Sequence, residues 1–195
     1  DERGKVCEYL HPYAVEIDAY KPPAKFINSD LTPVIELKDF DQTPLKFIDT
    51  EPELKKLVEH INTVSEVAVD LEHHSYRSFQ GFTCLIQIST ELGGDFIIDA
   101  LSLRDCLHSL NDPFTNPNIL KVFHGADSDV IWLQRDFGVY IVGLFDTHKG
   151  AMKLGFSNKS LKNLLWKYCK KATDKSFQLA DWRVRPLPES LCEYA

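Results

Sequence analysis

Val67-Ala-Val-Asp-Leu-Glu-His-His-Ser-Tyr-Arg77 decides how this chain is read. Val67, Ala68 and Val69 open as a buried strand, and Asp70 and Glu72 follow two residues apart. Strand residues i and i+2 point to the same face, so both carboxylates project together where the apolar run ends. Two carboxylates at one strand end repel each other unless a positive charge sits between them, and a divalent ion that prefers oxygen ligands meets that need. The plainer alternative is two solvated acids at a strand terminus, and residues outside this stretch have to decide between the two.

Upstream, residues 1–45 show no sustained hydrophobic period. Pro12, Pro22, Pro23, Pro33 and Pro44 interrupt them, which predicts an extended N-terminal arm with short helical pieces at most. Its Tyr13, Ile17, Tyr20 and Phe26 favour an arm that lies along the rest of the protein. Residues 46–195 form the second unit. Lys46-Phe-Ile48 reads as a short strand. Leu54, Leu57, Val58 and Ile61 form the core stripe of a helix capped by Asp49 or Thr50, with Pro52 in its first turn.

Downstream, Phe82–Thr90 and Asp95–Ala100 read as strands that complete an antiparallel meander with Glu66–Glu72, the chain turning at Gly93-Gly94. A helix over about Leu103–Leu110 follows, broken by Pro113 and Pro117. Ile119–Phe123 is a fourth strand. The helix after His124-Gly125 is capped by Asp127 or Ser128 and stopped by Gly138. Tyr140–Phe145 is a fifth strand, with helices at Thr147–Leu154 and Ser160–Lys170, a loop over Gln178–Pro188 and a last helix from Glu189. The expected fold class is α/β: a mixed sheet, three antiparallel strands and then alternating helices and strands, with helices on both faces.

A chain of 195 residues, 44% of them hydrophobic, suits one packed domain with extensions. No apolar run reaches the ~18 residues of a membrane span. Asp1-Glu-Arg-Gly-Lys5 has neither the apolar core of a signal peptide nor an initiator Met, so a piece of a longer protein is expected. Cys7, Cys84, Cys106, Cys169 and Cys192 form no Cys-x-x-Cys pair, which points away from a zinc site or a disulfide framework and towards a reducing, intracellular setting. The net charge of −7 excludes a generally basic nucleic-acid binder. Residues 159–185 nevertheless carry +6, leaving −13 elsewhere. A basic flank beside an acidic centre suits a metal-dependent enzyme acting on a polyanion, although a solvated helix face produces the same charge run.

His124-Gly-Ala-Asp-Ser-Asp129 lies where the fourth strand meets its helix. Asp127 reads as a cap. Asp129 falls in the first helical turn, a favoured place for an acid, and either caps the helix or joins Asp70 and Glu72 in a three-acid cluster. Clusters of that kind serve two-metal phosphoryl chemistry, with the ions ~4 Å apart.

Six blocks together carry a resemblance: Val69–Arg77, Cys84-Leu-Ile-Gln-Ile-Ser-Thr90, Phe96-Ile-Ile-Asp99, Val122-Phe-His-Gly-Ala-Asp-Ser-Asp129, Phe145-Asp-Thr-His148 and Gln178-Leu-Ala-Asp-Trp-Arg-Val-Arg-Pro-Leu-Pro188. Over residues 45–195 the chain resembles the DEDD-type 3′–5′ exonucleases, and within them the Rrp6 branch of exosome-associated ribonucleases. The resemblance implies an RNase H-like fold. It implies hydrolysis of RNA from its 3′ end, with release of nucleoside 5′-monophosphates. It implies two divalent metal ions, Mg²⁺ or Mn²⁺, and single-stranded RNA 3′ ends as substrate. It further implies an exosome core with its associated cofactors as partner, no membrane, and work in RNA processing and decay in the nucleus, nucleolus included.

By the same resemblance, Asp70 would bridge both ions, Glu72 would bind one, and Asp129 would hold the second through water. Tyr194 would orient the attacking water. The closing Asp of the pattern would stand four residues beyond Tyr194, past Ala195, so impaired activity and a poorly placed Tyr194 are expected of this chain. The alternative is a non-catalytic RNA-binding or scaffold module that keeps the nuclease fold.

Other residues carry paired readings. His124 touches RNA or metal-bound water, or caps a strand end. His73 and His74 face opposite ways, and His73 is placed near the substrate. Trp132 stacks on a base or packs in the core. Trp182, Arg183 and Arg185 line an RNA channel, or pin a loop through one aromatic and two ion pairs. Asp146 is structural. A phosphatase of small substrates would leave the basic segment unexplained, and a preference for RNA over DNA rests on the resemblance alone, because no residue here can be shown to read a 2′-hydroxyl.

Overall fold

Strand β2, Glu66–His74, lies inside a six-stranded sheet ordered β1-β4-β3-β2-β5-β6. The computed structural model describes residues 10–27, 43–90, 94–172 and 176–195. β2, β3 (Phe82–Thr90) and β4 (Gly94–Asp99) form the expected antiparallel meander. β1 (Leu45–Ile48) adds to β4 in parallel, and β5 (Leu120–Phe123) and β6 (Leu144–Asp146) add in parallel on the far side of β2. This is the RNase H-like mixed sheet that the sequence led us to expect. The expected turn at Gly93-Gly94 lies partly outside the described residues, as do residues 1–9 and 28–42 of the arm.

Two apolar layers fix the faces. On one, Val67, Val69 and Leu71 of β2 pack with Leu54, Leu57 and Ile61 of α3 (Glu51–Ile61) and with Leu133 and Phe137 of α5 (Asp127–Phe137). On the other, Cys84, Leu85 and Ile97 pack with Trp182 and with Leu191 of α8 (Glu189–Tyr194). β3 feeds both layers, hence its nearly unbroken apolar run. Between them, the alternation of β2 leaves Ala68, Asp70 and Glu72 on the face away from α3 and α5.

Several local expectations are corrected. In place of one helix over Leu103–Leu110, turns lead into a 3₁₀ turn at Leu107–Leu110 and then α4 (Asn111–Thr115). Pro113 sits inside α4, in the first turn, where its missing N–H has no intrahelical partner to lose. The strand expected over Tyr140–Phe145 shortens to β6. Backbone groups before it are taken elsewhere: Tyr140 N–H donates to the Asn111 side chain, and Val142 N–H to the Phe114 carbonyl. Neither Asp127 nor Ser128 caps α5, because Ala126 holds the cap position. Asp127 instead pairs with Lys149 at 2.9 Å. The helix expected over Ser160–Lys170 splits into α7 (Leu161–Leu164) and a π-helical turn, Leu165–Cys169, ending at Lys170 with φ +57°.

In the arm, α1 (Ala14–Ala19) and α2 (Ala24–Ile27) are short. The His11 ring meets Tyr140 edge-on at 5.2 Å, and Gln134 of α5 approaches its Nε2 at 3.3 Å. The described helices include none long and apolar enough to cross a membrane.

Candidate active site

Asp70 and Glu72 open onto a cavity of about 760 Å³. The floor is sheet: Ala68, Asp70 and Glu72 of β2, with Gln87 opposite Asp70 and Ser89 opposite Ala68 on β3. One wall is the end of β5 with His124 and then Thr147, which opens α6 (Thr147–Lys153). The parallel register Ala68↔Val122 carries that wall to the level of the acids. Ser160, Leu161, Lys162 and Leu165 also line the cavity, as do Gln178, Tyr194 and Ala195. A register shift between Glu72 and His73 interrupts the pairing beside the carboxylates, which resumes at His73↔Thr83. Such bulges re-aim side chains next to functional sites.

The acids of this cavity are shifted by burial and by one another. Burial pushes the Glu72 carboxyl up to about 8, helped by the charges of Asp70 and Asp129 and opposed by the Gln87 amide. Burial likewise pushes Asp129 up to about 7, with Asp70 and Asp146 adding to it. Asp70 is raised by burial against one opposing backbone hydrogen bond, from Leu71 N–H at 3.0 Å. Its side chain is open to the cavity, but the surrounding walls displace enough water to raise it. Among the described residues, no lysine or arginine forms an ion pair with any of the three.

The three acids act on one another, Asp129 on Glu72 and Asp70 on Asp129. Asp129 is buried in the first turn of α5 and is not among the cavity-lining residues, and the described residues hold no group of three His, Cys, Asp or Glu side chains placed to grip one ion. Asp70 and Glu72, which line the cavity, and the buried Asp129 make a hard-oxygen donor set whose mutual repulsion a divalent cation would relieve.

Asp146 sets the β5 wall. Its carboxylate accepts from Gly125 N–H at 2.9 Å, Ala126 N–H at 3.1 Å, His148 N–H at 2.8 Å and Lys149 N–H at 3.4 Å. Burial would raise its pKa, but those four donors together hold it below the usual carboxylate range. It thus joins the start of α5, which bears Asp129, to the start of α6, in agreement with a structural role. Thr147 Oγ1 donates to the Phe123 carbonyl at 3.0 Å and stands 2.9 Å from His124 Nδ1. With the hydroxyl hydrogen committed, Nδ1–H must be the donor to Thr147, which leaves His124 Nε2 as the acceptor nitrogen of the neutral ring.

The remaining candidates separate. Tyr194 reaches the cavity wall, its ring between Phe177 at 5.8 Å and Trp182 at 5.9 Å. The short α8 is therefore packed in place by tertiary contacts, contrary to the expectation of a poorly placed tyrosine. His73 and Trp132 stack at 4.0 Å with ring planes 8° apart, away from the cavity lining, and His73 also contacts Ser75 and Arg135. His74 turns the other way, buried against Phe82 and 3.8 Å from Asp181. Trp182 is core, not channel. Arg183 pairs with Asp181 at 2.7 Å, and Arg185 clamps Asp99 through two 2.7 Å hydrogen bonds while donating to the Trp182 carbonyl. Both arginines pin the loop.

Gln87, Lys162 and Gln178 are cavity residues that the sequence did not single out for the site. Gln87 had a signal: an amide in a strand that is otherwise apolar. Asp136 was also missed. Its side chain is enclosed, accepts from Thr83 N–H and Oγ1, and pairs with Arg135.

A family model described as 3′–5′ exonuclease matches residues 45–195, and the chain belongs to that family. Among curated relatives, it is 48% identical over 187 residues to exosome complex component 10 of Homo sapiens, covering 96% of this chain and 21% of that protein. It is 46% identical over 197 residues to the exosome complex exonuclease RRP6 of Saccharomyces cerevisiae, covering 100% of this chain and 26% of that one. The chain therefore spans a fifth to a quarter of the relatives it matches. Among solved structures, the catalytic core of RRP6 from Trypanosoma brucei superposes with a TM-score of 0.91 at 44% identity, covering 95% of this chain and 51% of that one. Escherichia coli RNase D, an exoribonuclease involved in structured RNA processing, does so at 0.73 and 28% identity, covering 78% and 40%.

Proposed function

We propose that this chain is the nuclease domain of an Rrp6-type 3′–5′ exoribonuclease, with residues 1–45 as its arm and 46–195 as the catalytic unit. The observation that carries the reading is the pair of carboxylates, Asp70 and Glu72, raised in pKa and without a cationic partner among the described residues, in a cavity that Tyr194 also lines. The donor set fits divalent ions bound by few protein oxygens, leaving ligand positions for water and a phosphate. Asp70, Glu72 and Asp129 would hold two ions, Mg²⁺ or Mn²⁺. When bound, the ions supply a nucleophile at neutral pH and stabilise the charge of the leaving oxygen.

The chain's own groups do the rest. The cavity admits the terminal nucleotide of a single strand. Tyr194 presents its hydroxyl to the attacking water. The lone pair of His124 Nε2 is available to a ribose hydroxyl or to that water. Asp146 and Thr147 keep the β5 wall in register. The products are nucleoside 5′-monophosphates, the partners RNA 3′ ends and an exosome core, and the setting nuclear RNA processing and decay.

The test is degradation of a 5′-labelled single-stranded RNA with Mg²⁺ or Mn²⁺, with and without chelator. This chain is run beside a form extended through the following helix, and beside that form carrying Asp70→Asn. A metal-dependent ladder lost in Asp70→Asn supports the enzyme. RNA binding with no cleavage by the extended form leaves only a scaffold.

A further inference from the structure

Leu161, Lys162 and Leu165 present one side of α7 and the π-helical turn to the cavity. Lys162 is the one lysine or arginine among the described residues that line it. Trp166 stands four residues on, one helical turn further from Ser160, and residues four apart on a helix are side-by-side neighbours. The three tryptophans of the chain fare differently: Trp182 is buried, Trp132 is stacked on His73, and Trp166 is 59% exposed with no ring partner among the described residues. Lys170 follows after another four residues, exposed, its Nζ on the Lys167 carbonyl at 3.1 Å. Lys167 lies over the Phe156 ring at 3.7 Å.

The backbone here is unusual in two ways. Leu165–Cys169 is a π-helical turn, a form that appears mostly as single turns and frequently at functional sites. It stops at Lys170 in the left-handed region without glycine. An exposed indole between lysines, continuous with a cavity whose own floor is acidic, matches a single strand of nucleic acid: bases stack on aromatics while phosphates follow cations.

We propose that Lys162 and Trp166 form a subsite for the nucleotide immediately upstream of the 3′-terminal one, with Lys162 on the phosphate at the cavity mouth and the Trp166 indole stacked on the upstream base. Lys162 gives the negative chain a way past Asp70 and Glu72, and Trp166 holds the next base outside the cavity so that one terminal residue enters at a time. This subsite rests on the nuclease reading above. Stacking tolerates any base, so it sets register and grip rather than sequence.

The test compares affinity for uridine 5′-monophosphate with affinity for 5′-labelled tetra-uridylate, in Ca²⁺ to slow cleavage, for the wild type, Trp166→Ala, Trp166→Phe and Lys162→Ala. Trp166→Ala is expected to reduce the ratio of tetranucleotide to mononucleotide affinity by about 5- to 150-fold, the range of one base stack. Trp166→Phe restores most of the ratio, because a ring still stacks. Lys162→Ala lowers the salt slope of tetranucleotide binding by about 0.7, one phosphate contact on a single strand. A wild-type ratio in Trp166→Ala overturns the subsite and leaves the nuclease reading standing. A wild type that binds neither probe removes the nuclease reading, and the subsite with it.

Discussion

Asp70→Asn should stabilise the metal-free protein and abolish its stabilisation by metal. Asp70 raises the carboxyl groups of both Glu72 and Asp129 by its charge, and Asn removes that charge while keeping an acceptor for Leu71 N–H. Residues i and i+2 of a strand stand ~7 Å apart along the chain. At an effective dielectric of ~20, two unit charges at that distance repel by ~2 kcal/mol. Glu72, at about 8, is largely protonated near neutral pH, so only part of this is felt. The net gain is ~1–2 kcal/mol, and ~2–4 °C per kcal/mol for a chain of this size puts the rise in Tm at ~2–8 °C. For the wild type, Mn²⁺ at a hundred times its Kd adds about 2.7 kcal/mol through binding to the folded state.

The sign with pH follows from the direction of the shifts. A carboxyl whose folded pKa lies above its unfolded value contributes stability at acid pH, and that contribution is lost as pH rises through the folded value. Metal-free wild type should therefore lose stability relative to Asp70→Asn between about pH 4.5 and pH 8 as Glu72 and Asp129 ionise, the two melting alike below that window. The assay is thermal melting of chelator-treated protein across that range, repeated with Mn²⁺. A lower metal-free Tm in Asp70→Asn near neutral pH, or a Mn²⁺ shift equal to that of the wild type, would refute the account of Asp70 as an uncompensated ligand.

Three further outcomes are expected. Asp146→Ala orphans four backbone N–H groups and should cost ~2–4 kcal/mol in urea unfolding, with loss of nucleotide release because the start of α5 and His124 are released together. Arg185→Met leaves Asp99 buried without its clamp and should cost ~3–5 kcal/mol. Burial works to raise Asp99, but Arg185 and Ser102 hold it below its ordinary value, so the wild type's margin over Arg185→Met shrinks as pH falls through the acidic range; equal melting of the two at neutral pH would contradict the clamp. Tyr194→Phe keeps the packing against Phe177 and Trp182, so Tm should hold while nucleoside monophosphate release falls by ~100-fold, and unchanged release would remove the hydroxyl from the mechanism.

Much of this protein could be read along the chain because strand alternation is a local property. The period of two in Val67–Glu72 placed Asp70 and Glu72 on one face before any fold was known, and Gly138 at φ +64° ends α5 where its lack of a side chain predicted. The blocks around them named the family. Longer-range partners were invisible. Whether Tyr140–Gly143 extends a strand depends on Asn111 and Phe114 taking its N–H groups, and whether Trp182, Arg183 and Arg185 face RNA depends on Asp99 and Asp181 reaching them first. The sequence by itself determined which face of β2 bears Asp70 and Glu72, because that follows from backbone period. Only the tertiary structure decided that Asp129 is buried, that α8 brings Tyr194 to the cavity, and that α7 supplies Lys162, because those positions are set by packing between elements far apart in the chain.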